Sequence, residues 1–181
     1  MIELPDLQGA CVLLQPLRET HAAALFRVLR DPELWRFMDA ASPTSEAALA
    51  ERYRRLESRR SPDNLQYWLN WAIVVQTEVI GFVQATVTNE AANIAYVIGR
   101  EYQSRGHAKD AVRAMLAFLE EALGVTTEYA TVDARNEPSR RLLERLSFAL
   151  VDGGDVHNLR FMRALRQKTR TSGCSAPRTT S

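Results

Sequence analysis

The residues Gln103 to Ala108 form a short polar loop between an apolar strand-like run and an amphipathic, helix-like segment. Such a loop and the first helical turn offer backbone N–H groups without intrahelical partners, and the helix dipole favours negative charge there. Gly106 permits close approach of a ligand to the backbone, and Arg105 adds a permanent cation that suits phosphate oxygens. The segment therefore predicts a binding site for a pyrophosphate group.

Two better-known phosphate motifs are missing from the sequence. The chain has no G-x-x-x-x-G-K-[ST] and no G-x-G-x-x-G, so neither a P-loop nor a dinucleotide fingerprint is present. The loop pattern alone is weakly specific because glycine is a common residue. Its position between a strand and a long helix gives it more weight.

A second polar pair, Asn136 and Ser139, stands where a helix is predicted to begin. Pro138 favours that helix start, and the leucine-rich run Leu142–Leu146 follows. Asn136 either caps the helix or binds a ligand with its side chain. Ser139 is either a polar residue of the first turn or a group close to the reacting atoms.

Hydrophobic periodicity predicts the elements that position these residues. Helices are predicted over 19–30 and 45–59, from about Gly106 to Gly124, and from Pro138 onward. Strands are predicted at 11–17, 71–75, 79–83, 94–98, 129–134, 148–151 and 159–165. The order β-αα-βββ-α-β-α-ββ predicts an α/β (α+β) domain with a mostly antiparallel sheet and one central crossover helix.

Length and composition predict one cytoplasmic domain over residues 1–166, followed by a disordered polar tail over 167–181. The formal net charge of +1 gives no reason to expect nucleic-acid or membrane binding. The two cysteines, Cys11 and Cys174, lie in dissimilar surroundings, so no disulfide is expected. No metal site is predicted either.

Taken together, the loop and the Asn136-x-x-Ser139 helix start resemble the two signatures of the GNAT superfamily of N-acetyltransferases. The runs Trp71–Val74 and Val79–Phe82 resemble its central hairpin. The first strand and helix are similar to the opening of its ribosomal-protein N-terminal acetyltransferase branch. The resemblance covers about Cys11 to Leu165.

This resemblance implies that acetyl-CoA binds where two neighbouring strands, Tyr96–Gly99 and Tyr129–Ala134, splay apart. The backbones of Val97 and Ile98 would pair with the pantetheine arm like an added strand. Asn136 would hydrogen-bond that arm, and Ser139 would lie near the thioester sulfur. The pyrophosphate would lie on the loop residues Gln103, Ser104, Arg105, Gly106, His107 and Ala108.

The implied reaction is direct attack of an amine on the thioester in a ternary complex, with the N–H of Val97 or Ile98 stabilising the oxyanion. Many relatives carry a proton-donating Tyr where this chain has Leu143, and a Glu base where it has Asn93. Glu90 or His157 could supply a base instead. Without one, an α-amine is the easier acceptor because its pKa is about 7.7–8.0, against about 10.4 for lysine.

Trp35, Phe37 and Asp39 fall between the first two helices, where the resemblance places the acceptor pocket. Asp39 could attract an ammonium group, and simple packing of the two aromatic rings is an equally good interpretation. The competing functional hypothesis is a non-catalytic CoA-binding regulatory module on the same scaffold. The chain is expected to act as a monomer or a homodimer.

Overall fold

The computed structural model describes residues 3–38, 40–151 and 157–165. Asp39 and the predicted tail, with Cys174, lie outside the described residues. Within them, one sheet has the strand order β1-β2-β3-β4-β5-β6-β8-β7. Its strands are β1 Leu7–Gln8, β2 Leu13–Pro16, β3 Tyr67–Val75, β4 Glu78–Thr88, β5 Ala91–Ile98, β6 Thr127–Asp133, β7 Ala149–Val151 and β8 Asn158–Ala164. The α-helices are α1 Ala22–Leu29, α2 Glu46–Leu56, α3 His107–Leu123 and α4 Glu137–Arg145.

Every strand pair of this sheet is antiparallel except β5 with β6, so the predicted mixed, mostly antiparallel fold is confirmed. The long helix α3 connects those two parallel strands, as the predicted crossover requires. The two-residue strand β1 was not predicted, since it has too few residues to show a pattern. Strand β8 lies between β6 and β7 in the sheet, so the second strand of the last hairpin pairs with both of them.

Strand β2 begins two residues later than predicted. The backbone N–H groups of Ala10, Cys11 and Val12 all donate to the carboxylate of Asp110 in α3, at 2.7–3.2 Å. These groups therefore satisfy their hydrogen bonds with a helix side chain instead of a neighbouring strand. Cys11 is exposed and forms no disulfide.

The sheet has two covered faces, and alternate residues of β5 serve them. Val97 packs with Leu25, Leu29 and Leu49 of α1 and α2. Ile94 and Ile98 pack instead with a second cluster that contains residues of α3 and α4, among them Met115, Leu116 and Leu143. The period of two along a strand thus assigns odd-numbered β5 side chains to the α1–α2 face and even-numbered ones to the α3–α4 face.

Strands β5 and β6 separate soon after they begin. They pair only at Ala91–Thr127, Ala92–Glu128 and Asn93–Tyr129. Beyond that point β5 stays paired with β4, and β6 stays paired with β8 along its whole length. The residues 94–98 and 130–133 therefore face each other across a gap, and the predicted splay of these two strands is confirmed.

The start of α2 follows an ordinary capping rule, and the start of α1 is preceded by a different turn. The hydroxyl of Ser45 accepts a hydrogen bond from the N–H of Ala48 at 3.1 Å, so Ser45 caps α2 as predicted. The segment predicted as helix from residue 19 opens with a 3-10 turn, Glu19–His21, before α1 begins. Among the described residues no helix is long and apolar enough to cross a membrane.

Candidate functional site

A cleft of about 660 Å³ lies between the separated ends of β5 and β6. It contains most of the residues that the sequence predicted to bind a cofactor. Those that line it are Val97, Ile98, Gln103, Ser104, Gly106, His107, Ala108, Asn136 and Ser139. Arg105, the remaining member of that set, does not line the cleft, whereas Lys109 on the first turn of α3 does.

The ladder between β4 and β5 decides which backbone groups of β5 face the cleft. The N–H of Gly99 donates to the carbonyl of Ile80 at 2.9 Å, and the register between the strands has no shift. Hydrogen-bonded and non-hydrogen-bonded pairs alternate along an antiparallel ladder. Val97, two residues before Gly99, therefore also directs its N–H and C=O toward β4. In agreement, a Cβ added to Gly81 would lie 2.1 Å from the Val97 carbonyl oxygen.

Tyr96 and Ile98 therefore present their backbone groups to the open side of β5. The side chain of Gln103 confirms this for Ile98, since its Nε2 donates to the Ile98 carbonyl at 2.9 Å. Of the two strand residues predicted to pair with a ligand, Ile98 offers its N–H to the cleft and Val97 offers its N–H to β4. Both residues remain at the cleft wall.

Helix α3 begins at the cleft without a side-chain cap. Its N-cap residue is Gly106, which has the left-handed φ of 85°. The N–H of Asp110 makes the first intrahelical bond, to the Gly106 carbonyl at 3.1 Å. The N–H groups of His107, Ala108 and Lys109 precede that bond, so they have no intrahelical acceptor and can bind an anion.

Helix α4 begins on the opposite side of the cleft and is capped. The Oδ1 atom of Asn136 accepts from the N–H of Ser139 at 3.2 Å, so the capping interpretation of Asn136 is correct. The Nδ2 group of Asn136 takes no part in this cap. Because Asn136 also lines the cleft, capping and ligand binding are compatible at this residue.

The hydroxyl of Tyr96 meets the hydroxyl of Ser139 at 2.7 Å across the cleft. Burial raises the pKa of Tyr96 to about 12, against an opposing contribution from its hydrogen bond with Ser139. The phenol therefore keeps its proton throughout the neutral range. Tyr96 was not among the predicted site residues, although it is the only residue between Ile94 and Ile98 whose side chain has a polar atom.

The predicted alternatives for a general base lie outside the cleft lining. Asn93 is exposed at the last position where β5 pairs with β6. Glu90 lies in the turn before β5, and its carbonyl accepts from the N–H of Thr126 at 2.8 Å. His157 is exposed, and its carbonyl accepts from the N–H of Ala134 at 2.8 Å. None of the three lines the cleft.

Two carboxylates line the cleft, those of Glu33 and of Asp133, and Asp133 lies at the end of β6. The Arg135 guanidinium donates to it at 2.7 and 3.0 Å, and this pairing lowers the pKa of Asp133 to about 2. A carboxylate with so low a pKa is a weak base. In the described residues no group of three or more His, Cys, Asp or Glu side chains could hold a metal ion.

The predicted acceptor residues divide between two cavities. Phe37 lines the cleft, with the Arg135 guanidinium 5.7 Å from its ring centre. Trp35 lines a second cavity of about 260 Å³ on the α1–α2 face of the sheet, and its Nε1 donates to the Leu29 carbonyl at 2.8 Å. Asp39 lies outside the described residues.

Leu143 belongs to α4, and its side chain is fully buried in the core. It packs in the same cluster as Met115, Ile98 and Phe148. An apolar side chain at this position supports the helix and has no proton to donate. Proton donors that the cleft wall does provide are the paired hydroxyls of Tyr96 and Ser139.

Comparison with known proteins places this geometry among acetyltransferases. The family described as acetyltransferase (GNAT) domain matches residues 12–149. The chain is 27% identical to the uncharacterized N-acetyltransferase p20 of Bacillus licheniformis over 130 residues, which are 70% of this chain and 72% of that protein.

Solved structures share the fold at lower identity. One is RimL, a ribosomal L7/L12 alpha-N-protein acetyltransferase in complex with coenzyme A, with a TM-score of 0.77 and 18% identity over 89% of this chain and 98% of the other. Another is the ribosomal-protein-S5-alanine acetyltransferase of Vibrio fischeri, with a TM-score of 0.76 and 16% identity over 91% of this chain and 98% of the other.

Proposed function

The chain belongs to the GNAT acetyltransferase family, and on that basis we propose that it is an acetyl-CoA-dependent N-acetyltransferase. It transfers acetyl to a primary amine, either a protein N-terminal α-amine or a small-molecule amine, by direct attack in a ternary complex. One observation carries the proposal. The unpaired edge of β5 leads along a single cleft to the uncapped start of α3.

The residues present fit acetyl-CoA in shape and in chemistry. A volume of about 660 Å³ is in the range of ligand sites in general. Tyr96 and Ile98 offer backbone groups suited to the amides of a pantetheine arm, in the manner of an added strand. The open N–H groups of α3 suit a pyrophosphate, and Lys109, Arg141 and Arg145 add positive charge to the lining.

Bound acetyl-CoA supplies an activated acetyl thioester. Strand β5 directs the N–H groups of Tyr96 and Ile98 into the cleft, and we assign the stabilisation of the oxyanion to that of Ile98. Loss of one such donor typically costs about 10²–10³ in rate. Val97 contributes by holding β5 against β4, so that the Ile98 amide stays fixed in direction.

Ser139 is assigned the proton delivery. As the new C–N bond forms and the C–S bond breaks, the Ser139 hydroxyl donates its proton to the departing sulfur. Tyr96, at 2.7 Å, then donates to the Ser139 oxygen, and water returns a proton to the Tyr96 phenolate. The raised pKa of Tyr96 ensures that its proton is present at neutral pH.

The amine must lose a proton, and of the two carboxylates in the cleft lining the one that lies on a separated strand is Asp133, whose pKa is low. This favours an acceptor that is already partly neutral. An α-amine is about one-third neutral at pH 7.5, whereas a lysine side chain is about 0.1% neutral. The proposed acceptor is therefore an α-amine, and water carries its proton away.

Two measurements on the full chain test the proposal. Calorimetry with acetyl-CoA should show saturable binding at one site, and its absence would overturn the cofactor assignment. A panel of amines, read by release of free thiol, should then show turnover. Saturable binding without thiol release from any amine would favour a non-catalytic CoA-binding regulatory module instead.

A further inference from the structure

The second cavity, of about 260 Å³, lies between helices α1 and α2 and the sheet. Its walls are largely apolar, and include Leu17, Leu29, Trp35, Leu49, Leu56 and Phe82. Six polar side chains also line it: Ser42, Thr44, Arg52, Tyr53, Asn70 and Gln84. A mostly apolar cavity with a few polar groups is the usual form of a small-molecule site.

One polar group of this cavity, the hydroxyl of Tyr53, is buried without a hydrogen-bond partner among the described residues. The residue is 4% exposed, and its hydroxyl has no hydrogen-bond partner among the described residues. A buried hydroxyl without a partner is costly, and it is rare in folded proteins. The Gln84 side chain likewise makes no hydrogen bond within the described part of the chain.

Arg52 differs from the other arginines of α2 that follow it. Arg54 pairs with Glu19 and Glu51, and Arg55 pairs with Glu51. Arg52 makes no ion pair with any described residue, although it lines the cavity. The cavity therefore combines apolar walls with a hydroxyl, an amide and a cation that are all able to donate to an oxygen atom.

The cavity adjoins the reaction cleft through β4 and β5. Phe82 and Gln84 line the cavity, and their partners across the ladder, Val97 and Ala95, line the cleft. Side chains at directly opposed positions lie about 4.5–5.5 Å apart. The cavity and the cleft are therefore about one strand spacing apart, which is the distance that an amine on a group held in the cavity has to span.

We propose that this cavity selects the acceptor, and that the acceptor is the α-amine of an aminoacyl unit with an apolar side chain. The side chain packs against the leucine and aromatic walls, and the carbonyl or carboxylate oxygen accepts from the Tyr53 hydroxyl. The proposal rests on the acetyltransferase activity proposed above and specifies its substrate class. The same unit occurs as a free amino-acid derivative and as the first residue of a peptide.

The main test compares wild type with Tyr53→Phe on two acceptors of similar bulk. Leucinamide has the apolar group and the carbonyl oxygen, whereas isopentylamine has only the apolar group. We expect Tyr53→Phe to lower kcat/KM for leucinamide by about 3- to 10-fold, the value of one hydrogen bond, and to leave isopentylamine unchanged. Equal effects on both amines would overturn the role of Tyr53.

A second pair of variants tests Arg52, the cation of the cavity lining. Arg52→Gln should lower kcat/KM for free leucine, whose carboxylate is charged, more than for leucinamide. The matched control is Arg55→Gln, one turn along the same helix and 70% exposed in its side chain, which should change neither. Equal behaviour of the two variants would exclude Arg52 from acceptor binding.

Side-chain size and the source of the unit are tested in the same assay. Activity should rise from glycinamide to leucinamide, and a flat series would overturn the apolar selection. A peptide that begins with leucine is compared with leucinamide. The one with the higher kcat/KM identifies the source of the aminoacyl unit. Failure of the underlying activity is distinguishable, because then no amine releases thiol, whereas failure of this inference leaves turnover without the predicted preferences.

Discussion

Helices α3 and α4 both begin at the cleft, and they begin in different ways. Helix α3 starts at Gly106, in a left-handed conformation and without a side-chain cap. Helix α4 starts at Asn136, whose side chain accepts from the N–H of Ser139. The first helix thus leaves its backbone donors open, whereas the second satisfies one of them and presents side chains.

The difference separates two tasks of the site. An open helix start binds negative charge through the backbone and needs no particular side chain. A capped start fixes the first turn, so that the Ser139 hydroxyl holds its 2.7 Å contact with Tyr96. We infer that α3 serves binding and α4 serves the chemical step, and each prediction below tests that division.

The largest effect is expected from Leu143→Ala, a substitution on the buried face of α4. Leu143 is fully buried, and removal of a buried leucine side chain to Ala typically costs about 2–5 kcal/mol. We expect a loss of this size in the free energy of unfolding, measured with urea. The pH dependence of the rate should keep its shape, because Leu143 donates no proton.

Leu150→Ala is the matched control for this substitution, since Leu150 is 59% exposed. Its free energy of unfolding should change by no more than about 0.5 kcal/mol. A lost alkaline limb of the pH–rate profile in Leu143→Ala would contradict the structural role and would assign α4 a different proton path.

The second effect is on kcat, from Ser139→Ala. A positioned proton donor contributes about 10²–10⁴ in rate, so we expect kcat to fall at least about 100-fold. The affinity for acetyl-CoA, measured by calorimetry, should change little. An unchanged kcat would remove Ser139 from the chemical step and would leave α4 without its proposed task.

Tyr96→Phe tests the Tyr96–Ser139 pair through the pH dependence of stability. The folded-state pKa of Tyr96 is about 12, above the ordinary value of 10, so its contribution to stability is complete below pH 10 and is lost as the pH rises toward 12. Between pH 9 and 11, wild type should therefore lose more stability than Tyr96→Phe in urea unfolding. Equal losses would show that the phenol is not held as the structure describes.

The third effect is on binding, from Gly106→Asp at the start of α3. The open space around Gly106 admits a side chain, but its φ of 85° strains any L residue, and a carboxylate there repels an anion. We expect the Kd for acetyl-CoA to rise about 10- to 100-fold. The rate on bound substrate should fall less than the affinity does.

Gly124→Asp provides a control for the backbone strain alone. Gly124 ends the same helix with a left-handed φ of 67°, also in open space, and lies outside the cleft lining. This variant should lose stability and keep its affinity for acetyl-CoA. If both aspartates weaken binding equally, strain and not charge explains the effect.

The two helix starts also show why part of the site was predictable from the sequence. Strand β5, the loop and α3 are contiguous in the chain, and a glycine at a helix start has a distinctive pattern, so the loop residues were found. The Tyr96–Ser139 contact joins two elements separated by α3 and β6, and no local pattern encodes it. The cavity around Tyr53 is assembled from even more distant segments and was found only through the fold.

The smallest effect distinguishes two neighbouring cations at the start of α3. Arg105 was predicted to meet phosphate, yet it does not line the cleft, whereas Lys109 does. Lys109 is half-buried. A solvent-accessible ion pair is worth about 0.2–1 kcal/mol, so Lys109→Ala should weaken acetyl-CoA binding about 1.5- to 5-fold, and Arg105→Ala should leave it nearly unchanged. Calorimetry at low and high salt checks this, because screening should abolish the Lys109 effect. The opposite ranking would mean that the loop side chains, and not the backbone of α3, direct the phosphate.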